Sequence, residues 1–293
     1  MTYAEFLKAR GVPVFTGSGT EWHLYQRALI PVSPLPSFIR MPRKDALGLL
    51  RRSGAWMVRW SGAPVDTPGP WWWMVCSAYD RAALTGKMRN QVRRALQRCV
   101  VRPLSHAWLA DHGYPCYSRA FGRYSHAVPA TQEVFRKSVL DLEGCEGLFQ
   151  NWGVFVGDSL AGYAQMIVEP SGAALSAVKY DPGFLADYPG YALMDGILAH
   201  YVTGMGLPVS NGTRSIAHDT DIQSFLLKFG FTRRYCRLNV LCSRGVGVAI
   251  ACAYPFRKPL RLLDRFSVLH RLNALLFQEG LVREQAPPAG DPG

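Results

Sequence analysis

No run of apolar residues in this 293-residue chain approaches the ~20 needed to span a bilayer as a helix, so a membrane-spanning helix is not expected. The opening residues, Met1–Gly11, lack the apolar core of a signal peptide, so secretion is not expected and a cytoplasmic location is. Seven cysteines (Cys76, Cys99, Cys116, Cys145, Cys236, Cys242 and Cys252) are scattered, odd in number and never in a C-x-x-C pair. That argues against a disulfide framework or a zinc site and fits reduced, mostly buried thiols. Gly-x-Ser-x-Gly and His-Glu-x-x-His are missing, which leaves no elbow nucleophile and no metalloprotease pair, and no metal is expected. Gly17-Ser18-Gly19-Thr20 is rich in glycine, but no Lys-Ser/Thr follows it, so it is no P-loop. Acidic residues are few: 21 Asp and Glu stand against 33 Lys and Arg, a net charge of +12. Such a surplus favours anionic partners, whether nucleic acid, phosphorylated substrate or anionic membrane.

What is present begins irregularly. Met1 to about Asp80 is the least regular part: Thr2–Arg10 fits a short helix, and Pro31, Pro34, Pro36 and Pro42 make the stretch around them extended. Ala55–Trp60 and Trp71–Cys76 read as strands; the Trp71-Trp72-Trp73 triplet suits either a strand buried on one side or stacking on a sugar or base. Thr85–Cys99 is a helix with Thr85 as N-cap, an apolar stripe of Met88, Val92, Ala95, Leu96 and Cys99, and Lys87, Arg89, Arg93, Arg94 and Arg98 elsewhere. Between Arg81 and Ala110 no Asp or Glu balances these cations, so the helix presents either a solvated outer face or an anion-binding surface. Val100–Ser105 is a strand, Tyr114–Tyr124 and Thr131–Leu142 are helices, and Leu148–Val156 and Leu160–Val168 form a hairpin across Gly157-Asp158-Ser159.

The densest pattern runs from Ala173 to Leu241. It reads as a strand to Tyr180, a loop, a helix from Tyr191 to Met205, a short strand Leu207–Ser210, a helix from Asp219 or Thr220 to Phe229, and a strand Arg234–Cys242. Where the first strand gives way to its helix, Asp187-Tyr188-Pro189-Gly190-Tyr191-Ala192 puts small residues beside a helix N-terminus, a place that suits phosphate as well as ordinary turn punctuation. The polar loop Asn211–Thr220 gathers Asn211, Arg214 and His218. Arg214 can grip a phosphate or carboxylate bidentately, and His218 has a pKa near ~6.5 suited to taking a proton; the same loop can equally serve as helix cap.

The order of elements resembles the GNAT acyltransferase superfamily over about Val100–Cys242. Gly190 and Ala192 match its Arg/Gln-x-x-Gly-x-Gly/Ala pyrophosphate loop, with Asp187 where Arg or Gln stands. Phe225-Leu226-Leu227-Lys228-Phe229-Gly230-Phe231 resembles Phe-Tyr-x-Lys-x-Gly-Phe, with Leu226 replacing the tyrosine that often acts as general acid. The resemblance implies an α/β fold: a mixed, mostly antiparallel central sheet flanked by helices over 87–245. To this are added an N-terminal α+β extension or partial second GNAT-like domain (1–86), a C-terminal basic helical segment (246–285) and a disordered tail (286–293). The implied reaction is attack of a small-molecule or peptide amine on an acyl carbonyl, without a covalent enzyme intermediate. The donor is acyl-CoA or acetyl-CoA, bound near Val178, Tyr180, Tyr188, Gly190, Tyr191 and Ala192. Glu169, Asp181, His218, Tyr180 and Tyr235 are the candidate acids and bases.

The basic helix has its own echo. It resembles the segment leading into a GNAT-like domain in the FemABX aminoacyltransferases, which add amino acids from aminoacyl-tRNA to peptidoglycan precursors. That resemblance makes aminoacyl-tRNA the alternative donor, with Arg93, Arg94, Arg214 and Asn211 as anion contacts. A third reading is a non-catalytic module on nucleic acid or membrane. The basic amphipathic pattern over 257–276 allows peripheral membrane contact or packing on the chain's own core.

Overall fold

The computed structural model describes residues 1–122, 128–216, 222–261 and 267–285. Its strands are β1 (Val14–Gly17), β2 (Thr20–Tyr25), β3 (Ala28–Pro31), β4 (Met57–Pro64), β5 (Trp72–Cys76), β6 (Cys99–Leu104), β7 (Phe149–Val156), β8 (Ser159–Glu169), β9 (Gly172–Tyr180), β10 (Val209–Thr213) and β11 (Thr232–Cys242). Its α-helices are α1 (Tyr3–Ala9), α2 (Arg43–Ser53), α3 (Gly86–Arg98), α4 (His106–His112), α5 (Tyr114–Phe121), α6 (Gln132–Leu140), α7 (Pro189–Leu198), α8 (Ile222–Leu227), α9 (Arg244–Ala253), α10 (Arg257–Arg261) and α11 (Ser267–Glu284). Contacts divide the chain into two units. The first holds residues 1–3, 75–212 and 222–232; the second holds residues 4–74, 213–216 and the described residues from 233 onward.

In the first unit β6, β7, β8 and β9 pair antiparallel in that order, and β10 joins β9 in parallel. The hairpin between β7 and β8 closes on Gly157 at φ +56°, a conformation that favours glycine. Adjacent side chains of β7 point to opposite faces. Trp152 donates its indole N–H to Tyr201 (3.0 Å) in the π-helical turn after α7, while Asn151 donates to His106 Nδ1 (2.7 Å) in α4. One face is thus covered by α7, which buries Leu193, Met194, Ile197 and Leu198, each fully buried side chain contributing about 2 kcal/mol. The other is covered by α4–α6 through Leu109, Phe135, Val139, Phe155 and Tyr163. α3 forms as its residues dictate: Thr85 Oγ1 accepts from Met88 N, and Met88, Val92 and Ala95 are buried.

In the second unit β1, β2 and β3 form an antiparallel meander, α2 follows, β4 pairs in parallel with β3, and β11 pairs antiparallel with β4. Meander, helix, parallel strand is also the sequence β7–β8–β9–α7–β10 of the first unit. In both, the parallel pairing lasts two residues: Ala28↔Met57 and Leu29↔Val58 here, Ala173↔Val209 and Ala174↔Ser210 there.

Several expectations are corrected. The stretch before Asp80 is more regular than its prolines suggested. Gly17–Thr20 is the β1–β2 turn, with Ser18 at φ +50° and Gly19 at +69°, the twist a two-residue hairpin requires. Three helices rather than two lie between β6 and β7. Ser105 caps α4, and a Cβ on Gly113 would sit 2.5 Å from the Leu109 carbonyl oxygen, so only glycine permits the tight α4–α5 junction. The strand expected at Leu207–Ser210 starts at Val209 instead, because Leu207 N is taken by the Tyr201 carbonyl at the end of the π-helical turn. The glycine-broken Ser243–Ala251 is largely helix α9, and the expected cap at Asp219 or Thr220 lies outside the described residues. Among the described residues no helix is long and apolar enough to cross a membrane. In the C-terminal segment Leu276 and Leu281 are buried, whereas Arg257, Lys258 and Arg271 are exposed.

Candidate functional site

The site grows from a single extra residue in β9. Gln165 of β8 pairs with Ala177, but the next residue, Met166, pairs with Leu175, which leaves Ser176 as a β-bulge. Such a bulge bends its strand and re-aims the residues beyond it. It lies just past Ala174, the last residue of β9 that pairs with β10. Within the first unit β9 and β10 therefore part at the bulge, and Ala177–Tyr180 keep β8 on one side with no described strand paired on the other. In that register the backbone N–H and C=O groups of Val178 and Tyr180 point away from β8.

At the end of this edge the chain turns through Asp181 and a 3₁₀ segment, Pro182–Asp187, into α7. Tyr188 adopts φ +61°, and Pro189 occupies the first helical turn, where a missing N–H costs nothing. At Gly190 a Cβ would lie 3.4 Å from Tyr180 Cζ and 3.7 Å from Phe225 Cζ, ordinary van der Waals contact. Phe225, at the start of the Phe225–Phe231 motif, stacks edge-on with Tyr191 and Phe229, both at 5.1 Å for Phe225. Leu226, where the resemblance leads one to look for tyrosine, is wholly buried.

Within the first unit the candidate acids and bases Tyr180, Asp181 and Glu169 are not brought together. The Tyr180 hydroxyl is enclosed with no hydrogen-bond partner, and burial, aided by the Cys116 thiol, pushes its pKa far up. Asp181 is buried; one carboxylate oxygen accepts from Gly183 N (3.0 Å) and the other pairs with Arg119 Nε (2.7 Å). Glu169 lies at the far end of the β8–β9 hairpin, opposite Gly172, and accepts from Tyr3 N at 3.0 Å. Eight residues of strand separate Gly172 from Tyr180, about 27 Å. Val178 lies on β9 two residues before Tyr180, and Tyr188, Tyr191 and Ala192 lie with Gly190 at the start of α7. Asn211 is half-buried on β10; Arg214 and Tyr235 belong to the second unit, and His218 lies outside the described residues.

Arg93 and Arg94 are exposed on α3, with Arg93 donating to Asn90 Oδ1 at 3.0 Å. Two of the other cations on this helix are committed. Arg89 donates to the Ala82 and Leu84 carbonyls (2.9 and 2.6 Å), and Arg98 donates to the Ala186 carbonyl (3.1 Å) and pairs with Asp187 (3.4 Å). The carboxylate on α7, Asp195, is not among the sequence candidates. It is fully buried and accepts from Tyr79 (2.6 Å) and from Arg81 Nε and Nη2 (2.8 and 2.5 Å). The tie fixes the helix of the loop to the segment after β5, and it also raises the Tyr79 pKa, after burial itself.

No family model and no curated protein matches this chain. Solved structures do. FemX is similar at 11% identity and TM-score 0.56, covering 90% of this chain and 93% of that one. The C-terminal domain of a protein assigned as a lysylphosphatidylglycerol synthetase from Agrobacterium fabrum is similar at 10% identity and TM-score 0.54, covering 85% and 90%. A conserved protein of unknown function from Bacteroides thetaiotaomicron gives 8% identity and TM-score 0.50 over 83% and 90%. These likenesses, the mixed and mostly antiparallel strand pairing and the parting of β9 from β10 at a bulge make this a GNAT-like fold of the FemX kind.

Proposed function

We propose that this chain is a transferase that moves an aminoacyl group from aminoacyl-tRNA to an amine. The observation that carries the choice of donor is Asp187. The CoA reading needs a cation or amide at that position to meet a pyrophosphate; here a carboxylate stands there, held by Arg98. A carboxylate next to a polyphosphate repels it. An aminoacyl ester needs no pyrophosphate cradle, only an edge on which its carbonyl can lie.

In this reading the ester carbonyl rests on the β9 edge at Val178 and Tyr180, whose N–H groups point away from β8 and receive the developing oxyanion. The acceptor amine, deprotonated, attacks; a C–N bond forms, the C–O bond to the ribose breaks, and the ribose oxygen leaves with a proton. Arg93 and Arg94 meet tRNA phosphates, and a cytoplasmic location follows from where charged tRNA is found. Acyl-CoA is the second reading, favoured by Gly190 and Ala192 in the first turn of α7.

The test is transfer of radiolabel from a mixture of charged tRNAs to a panel of small amines and amino-terminal peptides. An ester hydrolyses in mild base and an amide survives. Base-stable label that needs the protein supports the proposal; label confined to ester and free amino acid, with acyl transfer from acetyl-CoA to the same amines, rejects it.

A further inference from the structure

The tryptophan triplet splits between two faces, and the outward member is the interesting one. Trp71 and Trp73 are buried and donate their indole N–H groups to Ser61 Oγ, at 3.1 and 3.0 Å. Trp72 points the other way. Over its ring lie two guanidiniums, Arg233 at 4.6 Å and Arg214 at 4.9 Å from carbon to centroid, and Tyr235 meets it edge-on at 6.0 Å. All four residues belong to the second unit.

Arg214 is held in place at both ends. Its backbone N–H donates to the Trp72 carbonyl (3.0 Å), its Nη1 donates to the Pro70 carbonyl (2.9 Å), and its guanidinium lies 5.3 Å over Phe277 as well. Arg233 is exposed in β11. Two cations that share one ring lie within about 10 Å of each other and repel. Among the described residues neither has a carboxylate within ion-pair distance. A guanidinium laid on an aromatic face still turns N–H groups outward toward a planar or tetrahedral oxyanion, Arg214 having given only Nη1 to Pro70, and the ring thins the water around it.

We propose that Arg214 and Arg233, backed by Trp72, form a binding site for the phosphate group of an organic phosphate. The site lies apart in sequence from the β9 edge and does not rest on the aminoacyl reading; the two fail separately. Its test is isothermal titration at low salt with inorganic pyrophosphate, a nucleoside diphosphate and a short single-stranded oligonucleotide. The variants are Arg214→Gln, Arg233→Gln and Trp72→Phe, with Arg51→Ala, on the exposed side of α2, as a control that removes the same charge elsewhere.

Pyrophosphate affinity that drops about tenfold or more in each Arg→Gln variant, less in Trp72→Phe and not in Arg51→Ala, supports the site. If the nucleoside diphosphate shows that pattern and the oligonucleotide does not, the phosphate belongs to a small molecule. If the oligonucleotide shows it too, the site also accepts a nucleic-acid backbone. A fold check by circular dichroism on every variant separates loss of site from loss of structure. Equal binding in all variants, equal loss in Arg51→Ala, or no binding of any probe overturns the proposal.

Discussion

Arg98, in the last turn of α3, binds the loop ahead of α7 through Asp187 and the neighbouring Ala186 carbonyl. The basic helix thus spends one of its cations on the loop that a CoA-binding relative would keep open for pyrophosphate. The pair is half exposed on the arginine side, so its worth is in placing a negative charge more than in stability.

Replacing Asp187 with Gln removes the repulsive charge and supplies the amide of the GNAT-like loop. We expect CoA binding by calorimetry to be stronger in Asp187→Gln than in the unaltered chain, with stability changed by less than about 1 kcal/mol. Tighter CoA binding by the unaltered chain would count against the role given to Asp187.

The Asp195 carboxylate is fully buried under Tyr79 and Arg81. Asp195→Asn leaves Tyr79 and one side of Arg81 with a poorer acceptor. The expected loss is about 2–3 kcal/mol in urea unfolding, below the cost of stranding a fully buried charge, because Arg81 is half exposed and rehydrates. A loss under about 0.5 kcal/mol would show that the triad contributes little.

Ser61 accepts from two buried indoles at once. Ser61→Ala deprives both N–H groups of their partner and should cost about 2–4 kcal/mol, read as a fall in the urea midpoint. A neutral outcome would mean that the two rings find another acceptor.

His106 is buried beneath Asn151, and burial holds its pKa below the ordinary 6.5; His23 is shifted the same way for the same reason. The unfolded chain therefore binds more protons than the folded one as pH falls below about 6.5. Stability should decline from there downward and level off only beneath the folded-state pKa. His106→Gln should flatten part of that decline between pH 7 and 5. An unchanged slope in the variant would assign the pH dependence to other groups.

Local chemistry was legible in the sequence. Thr85 announced α3, the Gly157 turn announced its hairpin, and the apolar spacing of Leu193, Ile197 and Val202 announced the helix under the sheet. Features that depend on distant partners were not. The bulge at Ser176 exists only in register with β8, and the importance of Asp195 comes from Tyr79 and Arg81, more than 100 residues earlier. Seven-residue α4 is not legible between the strand Val100–Ser105 and the helix from Tyr114, since about two turns give too few positions for periodicity to speak. For the site, the loop ahead of α7 can be read from its small residues and the β9 edge only through the resemblance, whereas Asp181 pairs with Arg119 and Tyr180 is enclosed by packing, neither of which local sequence shows.

The donor is the centre of this account, and parallel titration of acetyl-CoA and charged tRNA, each at two salt concentrations, tests it most directly. The account predicts tRNA binding that weakens steeply with salt and weakens further in Arg93→Ala and Arg94→Ala, with no acetyl-CoA binding in the micromolar range. Micromolar acetyl-CoA binding that is nearly independent of salt and lost in Gly190→Glu would contradict it.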